Sequence, residues 1–395
     1  MTRLWVSQII LPTLLAGLVY AVYHLNWPLM FLHFLNGVPQ YNTEQCTTLD
    51  IPEACEDIVI HHDSQTAFVA CGRTDYRAKW FPPSAVRKEF VPKNDKIYKV
   101  NLKTREYNRL KLTNFTGIYR AHSLGIYAEP SQPGKPTDTV TLMLVNHILP
   151  ESVVEIFDHT LGSDELVHAL TVADPLIHTP NSVAPIGPRS FYVTNDFHYQ
   201  DKPLRTIEML WSAAWSGVAL YDHETRPHQP MVWAYHGIPY PNGIDVDLES
   251  RLVVVGSSTG RSVEYFKIEP RTLKLVPWFS VNGLPIATDN VRLDTITHDV
   301  YTAGLSRPIE YLFPKSGSPF TPGSSIAWIA IRLPFPVLTE EQRTNHSHFT
   351  LNYNDIPHEV LASHPGSWLG FVSVAAYDRA NNHLMLGSPS SPGIG

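Results

Sequence analysis

Two stretches of this 395-residue chain can be laid over each other without a gap: NGIDVDLESRLVVVGS, from Asn242 to Ser257, and DNVRLDTITHDVYTAG, from Asp289 to Gly304. Each has a polar start, an alternating strand, a polar turn, an apolar strand and a small end. The same plan recurs in EDIVIHHDSQTAFVACG from Glu56, NSVAPIGPRSFYVTND from Asn181 and GFVSVAAYDRANNHLMLGS from Gly370. A further copy is HSLGIYAE from His122, joined by the loop PSQPGKPTD to TVTLMLVNH. Self-similarity of this kind constrains the fold more tightly than composition does, because each unit must bury a face against its neighbour.

Period-two alternation between turn residues marks hairpins, and no copy carries the helical period. Strand pairs such as SVEYFKIEPRTLKLVPWF, from Ser262 to Phe279, fill the intervals, so each unit can supply four strands. Four-stranded units repeated radially make a β-propeller. The copies predict an all-β, six-bladed β-propeller, and the 33 prolines and 22 glycines suit its many turns. Uneven spacing between copies leaves a β-sandwich or a solenoid as the alternative.

At 43% hydrophobic residues the chain can fill a large core. Only 17% is charged and the net charge is -7, so no basic field exists to gather phosphates and nucleic acid is not an expected partner. From Trp5 to Tyr23 the chain is apolar and uncharged, just after Arg3, and about 20 such residues cross a bilayer as a helix. The stretch exceeds the ~7–15 residue core of a cleaved signal peptide, and no small-residue cleavage site stands out after it. An uncleaved N-terminal signal-anchor helix is therefore expected, with Arg3 cytoplasmic and the remainder in the lumen or outside. WPLMFLHFL, from Trp27 to Leu35, would lie along the interface or under the domain. Residues 1–45 then form the anchor and juxtamembrane segment, and 46–395 the propeller domain. A secretory-pathway protein, membrane-anchored or secreted, agrees with the glycosylation triplets Asn114-Phe-Thr and Asn345-His-Ser. Of the three cysteines, Cys71 lies in the apolar run AFVACG and reads as a core thiol, while Cys46 and Cys55 are left open.

In a propeller the first strand of each blade lines the central channel, so the polar starts converge on one axis. Glu56, Asn181, Asn242, Asp289 and Asn290 would then form a ring of five oxygen donors, two of them carboxylates, with no cysteine among them. That set suits a hard cation such as Ca2+ better than zinc. The competing explanation is that Asn and Asp open strands because they make turns. Two histidines sit on the copy that begins at His122: His122 itself before its first strand and His147 at the end of its second. An antiparallel hairpin brings such positions together, making a candidate catalytic dyad. Among 19 histidines an accidental pair is the rival account.

These motifs resemble the paraoxonases, the serum paraoxonase/arylesterases and their lactonase relatives. The similarity runs from about Glu56 to Gly387 and is densest in LMLVNH, SVVEIF, VAPIGPRSFYVTNDFHY, EMLWSAAWSGVALY, NGIDVD and DNVRLD. The resemblance implies a six-bladed propeller with two calcium ions in its channel, hydrolysis of lactones, aryl esters and some phosphotriesters, and a retained hydrophobic N-terminus. It implies that Glu56, Asn181, Asn242, Asp289 and Asn290 hold the catalytic ion, that Asp57 bridges toward the second, and that His122 and His147 are the dyad. The second, structural ion would take Asp57, the carbonyl of Leu124 and an aspartate whose place is held here by Ser182, so one charge is missing. A histidine that the family carries after the DN strand is absent from YTAGLSRPIEY, which weakens the case for phosphotriester hydrolysis relative to lactone hydrolysis. The family also ties its N-terminal region to a cysteine at the extreme C-terminus, where this chain reads SPSSPGIG. Either no such bridge forms, or Cys46 pairs with Cys55, or the family's cysteine lies beyond Gly395.

The expected chemistry is ester hydrolysis in which calcium polarises the carbonyl. His122 serves as general base on water, His147 relays its proton, and Asp289 shares the task. The segment YQDKPLRTIEMLWSAAW, 199–215, reads as an amphipathic helix that covers a blade or forms a lid touching apolar substrate and membrane. Competing readings are a sugar-lactone hydrolase or strictosidine-synthase-like enzyme, and a non-catalytic membrane-tethered propeller.

Overall fold

The computed structural model describes residues 37–80, 94–129, 138–148, 151–201, 203–314, 318–320, 324–344 and 347–395, with the single positions 12, 13 and 17. Apart from those three positions, the expected N-terminal helix lies outside the described residues, as does the 27–35 segment. Among the described residues no helix is long and apolar enough to cross a membrane.

The chain forms an all-β propeller. Six strands line its centre: β1 (Leu49–His61), β2 (Ala121–Ala128), β3 (Pro180–Gly187), β4 (Pro241–Asp247), β5 (Ala287–Leu293) and β6 (Val374–Asp378). Each packs on the next and β6 packs on β1, so the ring closes. Successive strands run outward from β3 as an antiparallel meander, through Ser190–Asn195 and Ser216–Asp222 to Met231–Ile238. The sheets on β2, β4 and β5 follow the same plan; those on β2 and β4 each gain a parallel outer strand, Lys111–Thr113 and Phe349–Asn352.

Six full blades were expected; among the described residues there are five sheets of four or five strands and one of two, β6 with His383–Gly387. The shortfall has a local reason. Pro392–Ile394, the next strand outward, pairs with the first half of β1 and joins that sheet instead, although Leu386 and Gly395 exchange both backbone hydrogen bonds at 2.9 Å.

Inward alternation along each strand fills the wedges between neighbouring sheets. One wedge packs Val254, Tyr265 and Phe279 against Val291, Ile329 and Ile331, with the Tyr265 and Phe279 rings stacked 4.2 Å apart. Another joins Met143, Val145 and Ile156 to Val183, Phe191 and Val193. Each such fully buried side chain contributes about 1.5–3 kcal/mol.

Cys71 is not a free core thiol. It is bonded to Cys55 across β1 and the following strand, leaving Cys46 exposed and unbridged among the described residues. The hairpin register, with His61 opposite Thr66, brings the two cysteines level once one extra residue is inserted in β1. Asn114 of the first glycosylation triplet is exposed, and Asn345 lies outside the described residues.

Candidate metal and dyad site

Five of the inner strands break register at the same point. The paired residues step from Cys55 to Asp57 in β1, Ala121 to Leu124 in β2, Pro180 to Val183 in β3, Pro241 to Ile244 in β4 and Thr288 to Val291 in β5. Each break is a bulge with one extra residue on the inner strand, and a bulge re-aims side chains that would otherwise alternate. The residues inside the breaks are Glu56, His122 and Ser123, Asn181 and Ser182, Asn242 and Gly243, and Asp289 and Asn290. Hydroxyls satisfy the backbone carbonyls freed there: Ser373 Oγ donates to Glu56 O, Thr194 Oγ1 to Asn242 O and Thr302 Oγ1 to Asn290 O, at 2.7, 2.6 and 3.0 Å. Gly243 is required by close approach. A Cβ there would stand 2.5 Å from both Asn290 Cα and Val291 N of the next blade.

The oxygens of this ring are conspicuously unsatisfied. Glu56 Oε1 accepts from Asn290 Nδ2 at 2.9 Å, and Asn242 Nδ2 donates to Ser258 Oγ at 3.0 Å. Glu56 Oε2, Asn242 Oδ1 and Asn290 Oδ1 are buried with no hydrogen-bond partner among the described residues. Leaving a buried acceptor unpaired costs roughly 1–3 kcal/mol each, more for a charged one. Asn181 is also buried, and Asp289 keeps partial exposure. Burial, then Asp57 and Asp289, push the Glu56 carboxyl well above the usual range; burial, then Asp57, does the same to Asp289. Two carboxylates without an ion-pair partner among the described residues, beside three amides, form a donor set that fits one divalent hard cation. No group of three or more His, Cys, Asp or Glu forms a metal cluster among the described residues, because three of these five donors are asparagines.

Asp57 differs. Its Oδ1 accepts from Ile58 N–H at 2.9 Å and pairs with Arg292 Nη2; its Oδ2 accepts from Ser123 Oγ at 2.6 Å and Leu124 N–H at 3.0 Å. Ser123 Oγ in turn lies 2.9 Å from Ser182 Oγ. Leu124 thus meets Asp57 through its amide, where its carbonyl was expected to serve as a ligand. The residues around Asp57 do not fit a second cation. Arg292 carries no local signal in the sequence, since it lies inside β5, two residues past the polar start of its repeat.

His122 and His147 are brought together. His147 Nε2 is 3.0 Å from His122 Nδ1, and His147 Nδ1 is 2.9 Å from Ser152 Oγ. Burial, then His147 and Arg77, hold the His122 pKa well below the usual imidazole value, which favours a neutral ring. Arg77 is a second residue the sequence did not single out. It is fully buried on α1 (Thr74–Trp80), and it also lowers the Glu56 carboxyl.

Of the 199–215 segment, α2 (Leu204–Trp211) is helical, with its polarity inverted. Arg205 and Glu208 face inward: Arg205 Nη2 contacts Asp196 Oδ2 at 3.0 Å, and Glu208 accepts from the backbone N–H groups of His198 and Tyr199. Leu204, Ile207, Trp211 and the following Trp215 face out.

The family model described as Arylesterase matches residues 91–334. Serum paraoxonase/arylesterase 1 of Mus musculus is 27% identical over 320 residues, covering 79% of this chain and 83% of that protein. Serum paraoxonase/lactonase 3 of Rattus norvegicus is 30% identical over 189 residues, 48% of this chain and 51% of that one. Among solved structures, the major Malassezia sympodialis allergen Mala s 1 has a TM-score of 0.48 at 10% identity, covering 87% of this chain and 90% of that one.

Proposed function

Because this chain belongs to the arylesterase family, we propose that it hydrolyses lactones and aryl esters, using one calcium ion held by Glu56, Asn181, Asn242, Asp289 and Asn290. The observation that carries this reading is the three orphaned oxygens of Glu56, Asn242 and Asn290, set on three strands around one axis. When bound, calcium supplies Lewis-acid polarisation of the ester carbonyl. The chain's own residues do the rest. His122 takes a proton from water at Nε2 and releases the hydrogen on its Nδ1 to His147 Nε2; Ser152 fixes the far side of His147. Asp289, partly exposed, is a second proton acceptor in the same ring.

The six inner strands closing on one another support counting β6 and its neighbours as a sixth blade, and residues 46–395 as one catalytic domain. Residues 1–45 remain the proposed anchor and juxtamembrane segment. The word serum in the names of the relatives supports passage through the secretory pathway, with the protein anchored or secreted and its exposed Asn114 glycosylated. The outward apolar residues of α2 support a lid over an apolar substrate, adjoining membrane.

The deciding test is hydrolysis of an aliphatic lactone, an aryl acetate and a sugar lactone by metal-replete protein, before and after chelation. Calcium-dependent turnover of the first two is expected. A preference for the sugar lactone would favour the sugar-lactonase reading, and no turnover of any ester would favour a binding module.

A further inference from the structure

We propose that Arg292 is a built-in replacement for a second channel cation, so that the chain binds one divalent ion where two would otherwise be needed. Asp57 follows Glu56 directly along β1, and both side chains are buried. Asp57 has no exposed side-chain surface, and a carboxylate so placed requires a compensating positive charge. Arg292 supplies it from β5, with β6 between the two strands in the ring. Its Nη2 pairs with Asp57 Oδ1, and its Nε donates to Ile58 O at 2.7 Å, so the guanidinium grips the same stretch of β1 at two points. The side chain is itself nearly buried.

The remaining donors complete the saturation of Asp57. Ile58 N–H, Ser123 Oγ and Leu124 N–H occupy its other acceptor positions, and Ser182 Oγ contacts Ser123 rather than offering a charge. A cation entering here would have to displace a guanidinium and find its other ligands among two hydroxyls. Arg292 also borders a cavity of about 470 Å³ with Asp245, Leu124 and Val183. That cavity adjoins the C-terminal ends of the inner strands, whereas the orphaned oxygens lie nearer their starts. Arg292 therefore joins the lining of that cavity to Asp57, next to Glu56.

The inference rests on the calcium reading above only for the identity of the other ion. Its test is the number of metal ions per chain, measured by mass spectrometry of the intact protein after exhaustive dialysis against calcium-free buffer. The wild type should retain one. The double variant Ser182→Asp/Arg292→Met restores a carboxylate and removes the guanidinium, and with calcium present it should hold one ion more than the wild type and melt in a calcium-dependent way at that added site. Two ions in the wild type, or a folded double variant with no additional ion, would overturn the proposal. A wild type with none would instead refute the Glu56–Asp289 site, with the difference between the two proteins still deciding the role of Arg292. If the double variant does not fold, the wild-type count decides alone: one ion upholds the proposal, and two or none overturn it.

Discussion

His147 and His122 share one hydrogen at a 3.0 Å contact, and Ser152 pins the other nitrogen of His147. Changing the protonation of one ring therefore resets the tautomer of the other. His122→Gln should keep the fold and the metal yet lower kcat/KM for lactones by ~100 to 10,000-fold, the usual worth of a positioned base. His147→Gln should cost less, and the double variant should lose little beyond His122→Gln, since groups acting as a unit are non-additive. Kinetics, melting and metal content on each variant check this. A folded, metal-replete His122→Gln protein with near-wild-type rates would remove His122 from the mechanism.

Chelation should abolish ester hydrolysis and lower Tm together. A ligand held only by the folded state contributes about 4 kcal/mol at a thousandfold excess over Kd. Asp289→Asn should mimic chelation more closely than Asn181→Ala, because it removes charge. An unchanged melt with full activity in chelator would sink the metal ring.

Asp95 gives stability a pH dependence of its own. Its buried carboxyl is pushed up to about 7 by burial, against the pull of Arg77, the Ala121 amide and Arg120. An unfolded aspartate titrates near ~3.9. The folded pKa is the higher one, so this contribution is fully present below ~4 and is lost as pH rises through about 7. Wild-type stability should thus fall across this window relative to Asp95→Asn. Denaturant melts of both proteins at several pH values test it; parallel curves would show that Asp95 does not titrate there.

Ile207→Ser and Trp211→Ser change the exposed side of α2, with Trp211 42% exposed. Stability should move by no more than ~0.5 kcal/mol. If the helix covers the substrate, KM for long-chain lactones should rise while that for small aryl acetates stays put. Equal effects on both substrates would mean that α2 only covers a blade.

Much of the propeller was legible because its repeat carries a matched register. The alignment gave Asn242 and Asp289 the same place in their repeats, and the structure puts a bulge at that place in both strands. What the sequence concealed was partnership across blades. Arg292 sits two residues beyond Asn290 in an alternating strand, and nothing local tells that Asp57, from a blade far earlier in the chain, will meet it. The Cys55–Cys71 bond was hidden by the same bulge, which shifts the pairing by one residue. α2 was recognisable as amphipathic, but which side would face the protein depended on Asp196 and the amides of residues 198 and 199, a tertiary matter.

The opening between the oxygens of Asn242 and Asn290 is set by an atom that is missing. Gly243 lets β4 approach β5 until a methyl group would strike the Asn290 backbone. Even alanine would wedge the two blades apart, widening the distance between two donors that belong to different sheets while leaving each donor chemically intact. The bore of the proposed calcium ring is thereby set by a residue that contributes no oxygen to it.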